Sequence, residues 1–386
     1  MNGKNKFNQK ISLDVFYFDG SRKQKIGMLA EGANRKCFFE YDSEWLLNGF
    51  SISPFSLPLE KKVFVPESEP FGGIHGVFND SMPDGWGALL VDRMLRKNGI
   101  SLSEIGFLDR LAIVGTNGPG ALIFEPQYEI DYAEKISDLD FISLECKKIL
   151  EEKSADEILD VIFKMGGSSG GARPKVFFEI DGEEWIVKFP SHFDIKDCGL
   201  MEYKYSLCAK KCGINMAETK LLDSKICTGF FATKRFDRIK NGNITKRIHT
   251  VSASGLLETS YRFQSLDYED LLKVTSYLTK DNSEVEQMLR LCMFNVISHN
   301  QDDHAKNFSF MYDAEKRAWK MAPAYDLTFS TSFGNEQSTT VNGKGKNITV
   351  DDFIILGKKF DFSENRIKAI YEEIETNVRE MLGDWI

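Results

Sequence analysis

An amphipathic helical pattern at residues 283–297 ends abruptly at a dense polar segment, residues 298–307, and an apolar run follows at 308–311. Apolar side chains recur every three or four positions in the first stretch, which is typical of a helix with one buried face. The spacing of Ser283 and Glu286 predicts a capping box at the start of this helix. The polar segment gathers two adjacent acids, two histidines, a lysine and two asparagines, a set that can move protons and bind metals.

Two side chains in the polar segment have the spacing of a protein-kinase catalytic loop. Asn307 follows Asp302 by five positions, as the asparagine follows the aspartate in kinases. In that loop the aspartate accepts the proton of the attacking hydroxyl, and the asparagine oxygen binds a metal ion. Taken alone, the pair is equally compatible with a solvated loop held by local side-chain hydrogen bonds.

Asp326 is a third candidate, in the segment MAPAYDLTFS, where it follows an apolar stretch and a Pro-Ala-Tyr turn. Its separation from Asp302 along the chain is long enough for a hairpin that returns to the same site. A carboxylate at that position suits Mg²⁺, which prefers hard oxygen ligands. Judged alone, Asp326 is better explained as a turn residue or a helix cap.

A glycine-rich segment, GGSSGGARPK at residues 166–175, separates a predicted helix from a predicted strand. Glycine permits positive φ and close approach, so backbone N–H groups here could surround phosphate. The residues that would do so are Gly167, Ser168, Ser169, Gly170 and Gly171. The segment matches neither the P-loop nor the dinucleotide-binding pattern, so a plain glycine-rich hairpin or linker is the alternative.

The strand after this segment is predicted to pair with a second strand through a tight Asp-Gly turn. In the second strand Lys188 lies on the face opposite to Trp185 and Val187, because side chains alternate along a strand. Lys188 could therefore contact phosphate, and Glu202 on a downstream helix could orient it by an ion pair, as in kinases. Taken singly, an exposed strand lysine and a surface glutamate are the simpler explanations.

These elements occur in the order in which protein kinases use them: glycine-rich loop, strand lysine, helix glutamate, catalytic aspartate with its asparagine, and metal-binding aspartate. Each has an ordinary explanation alone, but all of those explanations would have to hold together. The joint pattern therefore predicts kinase-like phosphoryl transfer that uses ATP and Mg²⁺.

Strand patterns dominate the start of the chain and helical patterns its end. At 386 residues the chain exceeds one ordinary domain. We predict an α+β protein with a β-rich N-terminal domain at residues 1–130, a kinase N-lobe at 131–275 and a helical kinase C-lobe at 276–386. Apolar patterns also predict helices at residues 86–97 and 364–382.

Composition narrows the function classes. The net charge of −9 argues against strong general binding to nucleic acid, because phosphate neutralisation needs clustered Lys and Arg. Seven cysteines without a CxxC pair disfavour zinc and a disulfide framework and fit a reducing cytoplasm. The N-terminus shows no secretory pattern, and no apolar run is long enough to predict a membrane span.

The assembled motifs resemble the HipA family of bacterial toxin kinases. The segments that carry the resemblance span nearly the full chain: FNDSMPDGWG, GGSSGGARPK, IVKFPS, KRFDR, NQDDHAKNFSF and APAYDLTFS. The resemblance implies a β-rich N-terminal domain and a two-lobed Ser/Thr protein kinase. It also implies a HipB-like helix-turn-helix antitoxin that binds operator DNA. Family targets include aminoacyl-tRNA synthetases, and the effect is growth arrest or persistence.

The resemblance implies a role for each matched residue. Asp302 matches the catalytic base, and Lys188 matches the lysine on the ATP phosphates. Asn307 and Asp326 match the Mg²⁺ ligands. Glu202 matches less closely.

The same resemblance implies adenine contacts and a regulatory site. Arg235 and Phe236 lie in KRFDR, which matches the segment whose backbone meets adenine. Ser168 matches the autophosphorylated loop serine and Ser169 is its neighbour, so either is a candidate. A phosphate there would add a charge of roughly −1.5 to −2 and would repel the phosphates of the nucleotide.

One residue departs from the family pattern. Many members carry glycine or arginine after the catalytic aspartate, whereas this chain carries Asp303. The second carboxylate either faces away from the nucleotide or weakens its binding. We expect His304 to pack or orient the loop, and Asp84 and Trp86 to fix a turn and its packing on the kinase core.

Two other functions stay open at this stage. The first is a catalytically weak nucleotide-binding module that serves mainly as antitoxin partner and transcriptional co-repressor. The second is a metal-dependent phosphohydrolase, which usually needs more His and Asp ligands than a chain with five histidines offers. Lys188 and the glycine-rich segment favour ATP over the phosphohydrolase.

Overall fold

The computed structural model describes residues 9–128, 136–151, 156–167, 169–191, 194–263 and 266–386. The chain forms two compact units. The first comprises Met1–Gly199 and Leu221–Val251, and the second comprises Leu200–Lys220 and Ser252–Ile386. Helices and strands occur in both units, so the predicted α+β class is confirmed. The predicted division into three parts stays a prediction.

The first unit begins with an antiparallel sheet of five strands. They are β1 (Ser12–Phe18), β2 (Lys23–Glu31), β3 (Cys37–Tyr41), β4 (Val63–Phe64) and β5 (Leu122–Glu125), in the order β4-β3-β2-β1-β5. β1 and β3 lie among the strand patterns that dominate the start of the sequence, as predicted. β5 lies in a Gly- and Pro-rich segment and pairs with β1, so this segment completes the sheet.

Along the chain, helices lie between the later strands of this sheet and continue after its last strand. Within the described residues they are α1 (Ser43–Asn48), α2 (Gly76–Asn79), α3 (Trp86–Lys97), α4 (Phe107–Val114), α5 (Leu139–Leu150) and α6 (Asp156–Gly166). The helix predicted at residues 86–97 is confirmed as α3 with the same bounds. Apolar side chains of α3, α5 and α6 share one buried core with the strands that follow.

Those strands form the second sheet. The hairpin of β6 (Lys175–Ile180) and β7 (Glu183–Lys188) has the tight turn predicted for it, because its two central residues have φ of 55° and 72°. β8 (Thr219–Leu222) lies where the chain passes between the units, and β9 (Phe230–Lys234) pairs with β7. Trp185 and Val187 are buried in the shared core, so Lys188 lies on the other face, as predicted.

Three short strands follow in the first unit. β10 (Arg238–Asn241) and β11 (Ile244–Arg247) form an antiparallel hairpin, and β12 (His249–Ser252) ends this part of the chain. The side chains of Arg238 and Arg247 are buried and donate to the carbonyl oxygens of Gly118 and Gly120. The hairpin is thereby attached to the loop that precedes β5.

The second unit is mainly helical. After α7 (Cys198–Lys211), whose residues from Leu200 onward belong to it, its described helices are α8 (Ala253–Leu257), α9 (Tyr268–Thr279), α10 (Asn282–Ile297), α11 (Val350–Lys358) and α12 (Glu364–Leu382). Its strands are β13 (Leu266–Asp267), β14 (Ser309–Asp313), β15 (Ala318–Met321) and β16 (Thr339–Thr340). The helix predicted at residues 364–382 is confirmed as α12.

The predicted capping box of α10 is wrong. The cap lies two residues earlier, at Asp281, whose carboxylate accepts from the backbone N–H and the hydroxyl of Ser283. Glu286 does not return to the cap, because its carboxylate forms ion pairs with Arg290 and Arg366. A preceding aspartate therefore caps the helix in place of Ser283. Glu286 pairs instead with Arg290 of the same helix and with Arg366 of α12.

None of the helices formed by the described residues has the length and the apolar character needed to cross a membrane.

Candidate active site

Asp302 stands at the start of the polar loop that follows α10. Its side chain is 65% exposed, so the carboxylate is accessible to a substrate. Its backbone N–H donates to the hydroxyl of Ser330 over 2.9 Å. His304 Nε2 lies 3.9 Å from Asp302 Oδ1, and the His304 ring packs at 5.7 Å from the ring of Tyr261. His304 therefore packs beside the aspartate, as expected.

Asn307 is bound to the same loop. Its Nδ2 donates to the backbone carbonyl oxygen of Asp302 over 2.7 Å. This bond fixes the amide with its nitrogen toward the loop, so the Oδ1 atom is the one left to accept a ligand. Amide oxygen is a donor type that Mg²⁺ accepts. The predicted pair therefore belongs to one local structure within the second unit.

Asp326 is linked to this loop through its neighbour. The hydroxyl of Tyr325 donates to the Lys306 carbonyl over 2.5 Å and lies 2.6 Å from the hydroxyl of Ser309. Asp326 itself has φ of 58°, a left-handed conformation that non-glycine residues seldom adopt and that often marks functional loops. The hairpin of β14 and β15 returns the chain to the loop, as predicted from the separation of the two aspartates.

Asp303 is buried although its neighbour Asp302 is exposed. Its side chain is 0% exposed and accepts hydrogen bonds from Tyr268, Gln337 and the backbone of Ser338 and Thr339. Burial raises the pKa of this carboxyl to about 7, while the four donors oppose the rise. The carboxylate faces away from the side on which Asp302 is exposed, which is the first of the two alternatives.

The glycine-rich loop connects α6 to β6 in the first unit and is held by the turn before α3. The backbone N–H of Trp86 donates to the Gly171 carbonyl over 2.8 Å, and the Trp86 indole donates to the Lys175 carbonyl over 3.1 Å. A methyl group on Gly87 would lie 2.2 Å from the Ser169 carbonyl oxygen, so this approach requires glycine. Trp86 thus fixes a turn against the loop, as expected.

Part of this loop is open. Neither Gly170 nor Gly171 uses its backbone N–H in a hydrogen bond within the described residues, and a methyl group on Gly170 would contact nothing. Gly171 has φ of 80°, a conformation suited to glycine. Two adjacent free N–H groups on an open loop can bind an anion. The N–H of Gly167, by contrast, donates to the Phe163 carbonyl.

The two loop serines differ. Ser169 is 4% exposed, and its hydroxyl donates to the Gly166 carbonyl over 2.5 Å. This hydroxyl is therefore occupied inside the protein. Ser168 lies outside the described residues.

Two lysines lie beside the loop. Lys175 of β6 is directly opposite Lys188 of β7, so both side chains leave the same face of the hairpin. A methyl group on Gly171 would lie 2.6 Å from Lys175 Nζ, so this ammonium group reaches the loop. The sequence does not single out Lys175, because its importance depends on strand register.

The side chain of Arg235 is not free to bind a ligand. It is buried, bonded to Asp237 over 2.8 Å and Glu184 over 3.3 Å, and packed on the ring of Phe177. Burial by itself would raise the pKa of the Asp237 carboxyl. The charges of Arg235 and Arg238 outweigh burial, so the pKa is lowered. The adenine contact that the resemblance implies for the backbone of Arg235 and Phe236 stays a prediction.

Glu202 lies in α7 within the second unit and is 2% exposed. The alternative of a surface glutamate is therefore wrong. Its ion pair with Lys188 stays a prediction.

Each unit thus brings part of the predicted site together. Asp302, Asn307 and Asp326 share hydrogen-bonded loops in the second unit, and Lys188 shares the first unit with the glycine-rich loop. Among the described residues there is no cluster of three or more His, Cys, Asp and Glu side chains suited to a metal. A site of the type predicted, with one amide and one carboxylate from the protein, does not need such a cluster.

Relatives and a solved structure are similar to this chain. A "Putative kinase Y4dM" of Sinorhizobium fredii is 23% identical over 347 residues, which cover 80% of this chain and 82% of the relative. A "Putative kinase Y4mE" of the same species is 29% identical over 130 residues, 31% of this chain and 30% of that relative. The HipA chain in a Shewanella oneidensis MR-1 complex of HipA, HipB and operator DNA matches with a TM-score of 0.69 and 18% identity, over 96% of this chain and 90% of that chain. At that identity the match shows a shared fold.

Two family models match consecutive parts of the sequence. The HipA N-terminal domain matches residues 14–125, where the five-stranded sheet lies. The HipA-like C-terminal domain matches residues 167–382, from the glycine-rich loop to the last helix. The second match alone takes more than half of the 386 residues, so the chain belongs to the HipA family.

Proposed function

We propose that this protein is a Ser/Thr protein kinase that uses ATP and Mg²⁺. The observation that carries the proposal is the bonded arrangement of Asp302, Asn307 and the Tyr325–Asp326 segment in the second unit. The names of the relatives as putative kinases support it. The backbone N–H groups of Gly170 and Gly171, which make no hydrogen bond to another described residue, support the proposed anion-binding part.

The residues fit the two groups that the reaction needs. Asn307 Oδ1 and the Asp326 carboxylate would hold Mg²⁺, which offsets the negative charge that develops on a transferred phosphoryl group. Lys188, Gly170 and Gly171 would contact the ATP phosphates. Asn307 and Asp326 offer oxygen ligands, which suit a hard cation. Lys188, Gly170 and Gly171 offer N–H donors, which suit an anion.

The exposed carboxylate of Asp302 would accept the proton of a serine or threonine hydroxyl and orient it for attack. Its backbone is fixed at the N–H by Ser330 and at the carbonyl by Asn307. Catalysis by this arrangement is positioning combined with electrostatic stabilisation.

The proposed biological role is that of a toxin held by a HipB-like antitoxin. The support is family membership and the fold shared with a HipA that is solved with HipB and operator DNA. We propose that operator DNA is contacted through the antitoxin and that the target is a protein such as an aminoacyl-tRNA synthetase. Growth arrest or persistence would follow from that modification.

We further propose autophosphorylation of the glycine-rich loop at Ser168. Ser169 was the other candidate, but its hydroxyl is buried and donates to Gly166. Intact mass of the protein before and after incubation with ATP tests this proposal, with Ser168→Ala and Ser169→Ala as the matched pair. Loss of the added phosphate in the Ser169 variant alone would contradict it.

The second candidate function is a catalytically weak module that binds nucleotide and the antitoxin. Transfer of labelled phosphate from ATP to host-lysate proteins separates it from the kinase. We expect transfer by the wild type, loss of transfer in Asp302→Asn, and normal transfer in the control Asp351→Asn, which changes an exposed carboxylate of α11. Thermal stabilisation by Mg–ATP without any transfer would support the weak module instead.

A further inference from the structure

The carboxylate of Asp303, in the candidate catalytic loop, accepts four hydrogen bonds, two on each oxygen. Oδ2 accepts from the Tyr268 hydroxyl over 2.7 Å and from Gln337 Nε2 over 3.1 Å. Oδ1 accepts from the backbone N–H of Ser338 over 2.8 Å and of Thr339 over 3.1 Å. The Asp303 carbonyl also accepts from the Thr339 hydroxyl. One side chain thus joins the loop to α9 and to the segment that enters β16.

A second set of bonds leads from the same partners back to Asp302. Asn295 Nδ2 donates to the Tyr268 hydroxyl over 2.9 Å, and Asn300 Nδ2 donates to Asn295 Oδ1 over 3.0 Å. Ser330 then connects Asn300 to Asp302. Its hydroxyl donates to Asn300 Oδ1 over 3.1 Å and accepts from the Asp302 N–H over 2.9 Å. The backbone of Asp302 is therefore held through its own N–H and through the residue that follows it.

We propose that Asp303 is a positioning residue, whose buried carboxylate holds Asp302 in place for phosphoryl transfer. The inference rests on the proposed function. Adjacent residues are joined by a planar peptide, so a fixed Asp303 restricts where the exposed Asp302 carboxylate can lie. A solvent-exposed loop without such an anchor would sample many positions, and small displacements of a reacting group are costly.

An aspartate is required because four donors converge on its two oxygens. Asparagine keeps the size but replaces one acceptor oxygen with a donor nitrogen, so at least one pair of donors loses its partner. A buried polar group without its partner is unfavourable, and the loop would relax to relieve it. Removal of a single donor, as in Tyr268→Phe, should produce a smaller change of the same kind.

The test uses Asp303→Asn, Tyr268→Phe and a control, Thr275→Val, in the full-length protein. Thr275 lies on α9 with Tyr268, is fully buried and donates only to the Leu271 carbonyl of its own helix. The first measurement is hydrogen–deuterium exchange of a peptide covering residues 299–308 without nucleotide. The second is the steady-state kinetics of phosphate transfer, with the folded fraction checked at the assay temperature.

We expect faster exchange of that peptide in Asp303→Asn and Tyr268→Phe but not in Thr275→Val. We also expect kcat to fall, by about tenfold or more in Asp303→Asn, while KM for ATP stays within about twofold. The reason is that the described partners of the Asp303 carboxylate are Tyr268, Gln337 and the Ser338–Thr339 backbone, none of which is proposed to bind nucleotide. If Asp303→Asn does not fold, Tyr268→Phe carries both measurements.

Unchanged exchange in Tyr268→Phe and Asp303→Asn would overturn the inference, as would a normal kcat despite faster exchange. A wild type that transfers no phosphate would reject the proposed function alone, because the exchange measurement would still show whether Asp303 holds the loop. A fall in kcat of the same size in Thr275→Val would mean that general loss of stability, and not positioning, is responsible.

Discussion

The Tyr325 hydroxyl donates to the Lys306 carbonyl over 2.5 Å, so the residue before Asp326 is bonded to the residue before Asn307. This contact joins two loops that are separated by the β14–β15 hairpin. The Tyr325 hydroxyl therefore helps to set the common position of the two candidate metal ligands, together with the bond from the Asp302 N–H to Ser330.

Tyr325→Phe should therefore weaken the use of Mg²⁺. We expect the Mg²⁺ concentration for half-maximal transfer to rise by about tenfold, the effect of losing one hydrogen bond of about 1.4 kcal/mol. Titration of transfer rate with Mg²⁺ at saturating ATP measures the change. Tyr371→Phe is the control, because the Tyr371 hydroxyl contacts only Glu375 on the exposed face of α12. Equal Mg²⁺ curves for the two variants would contradict the prediction.

The parts of this fold that were predicted correctly depend on local signals. The β6–β7 hairpin follows from a tight Asp-Gly turn between two strand patterns, and α3 and α12 follow from apolar periodicity. The start of α10 was wrong because Asp281, which lies outside the apolar pattern, outcompeted Ser283 as the cap. A local pattern indicated that a helix begins there but not which side chain caps it.

Long-range contacts decided what sequence analysis left open. Asp303 is covered by partners far away in the sequence: Tyr268 lies 35 residues earlier and Ser338 lies 35 residues later. No local sequence pattern indicates such partners. Lys175 became a candidate site residue only when the strand register placed it opposite Lys188. Trp86 lies against a loop about 85 positions later in the chain, to which it is bonded through the Gly171 and Lys175 carbonyl oxygens, the latter at a separation of 89.

Lys188→Met should impair the handling of ATP. A charge-assisted hydrogen bond contributes about 1.5–3 kcal/mol, so we expect kcat/KM for ATP to fall by roughly tenfold to a hundredfold. Lys240→Met is the control, since Lys240 is exposed on β10 and its ammonium group donates to the Asp181 carbonyl in the β6–β7 turn. Steady-state kinetics with varied ATP measures both. An unchanged kcat/KM in Lys188→Met would remove Lys188 from the site.

Gly87→Ala should destabilise the first unit. The added methyl group would lie 2.2 Å from the Ser169 carbonyl oxygen, so either α3 or the glycine-rich loop must move. Overpacking of this kind costs about 1–3 kcal/mol. Gly170→Ala in the same loop is the control, because its methyl group would meet nothing. Chemical denaturation compares the two variants, and equal free energies of unfolding would show that the turn and the loop are not in contact.

The free energy of unfolding should depend on pH through the titration of Asp303. Burial raises the pKa of its carboxyl from 3.8 to about 7 in the folded protein, so between these values the unfolded chain loses the proton while the folded chain keeps it. Stability from this group is fully present below about pH 4 and is lost as the pH rises through 7, by at most about 1.4 kcal/mol per pH unit. Its neighbours Tyr268 and Cys292 have pKa values raised well above their usual ones, so neither ionises in this window.

Asp303→Asn removes this titration. We therefore expect the difference in unfolding free energy, variant minus wild type, to increase steadily from pH 4.5 to pH 7 and then to level off. Urea denaturation at a series of pH values measures it, and Asp351→Asn serves as the control for loss of an exposed carboxylate. A constant difference across the range would mean that the Asp303 carboxyl is already ionised at low pH. In that case the four donors, and not burial, determine its charge.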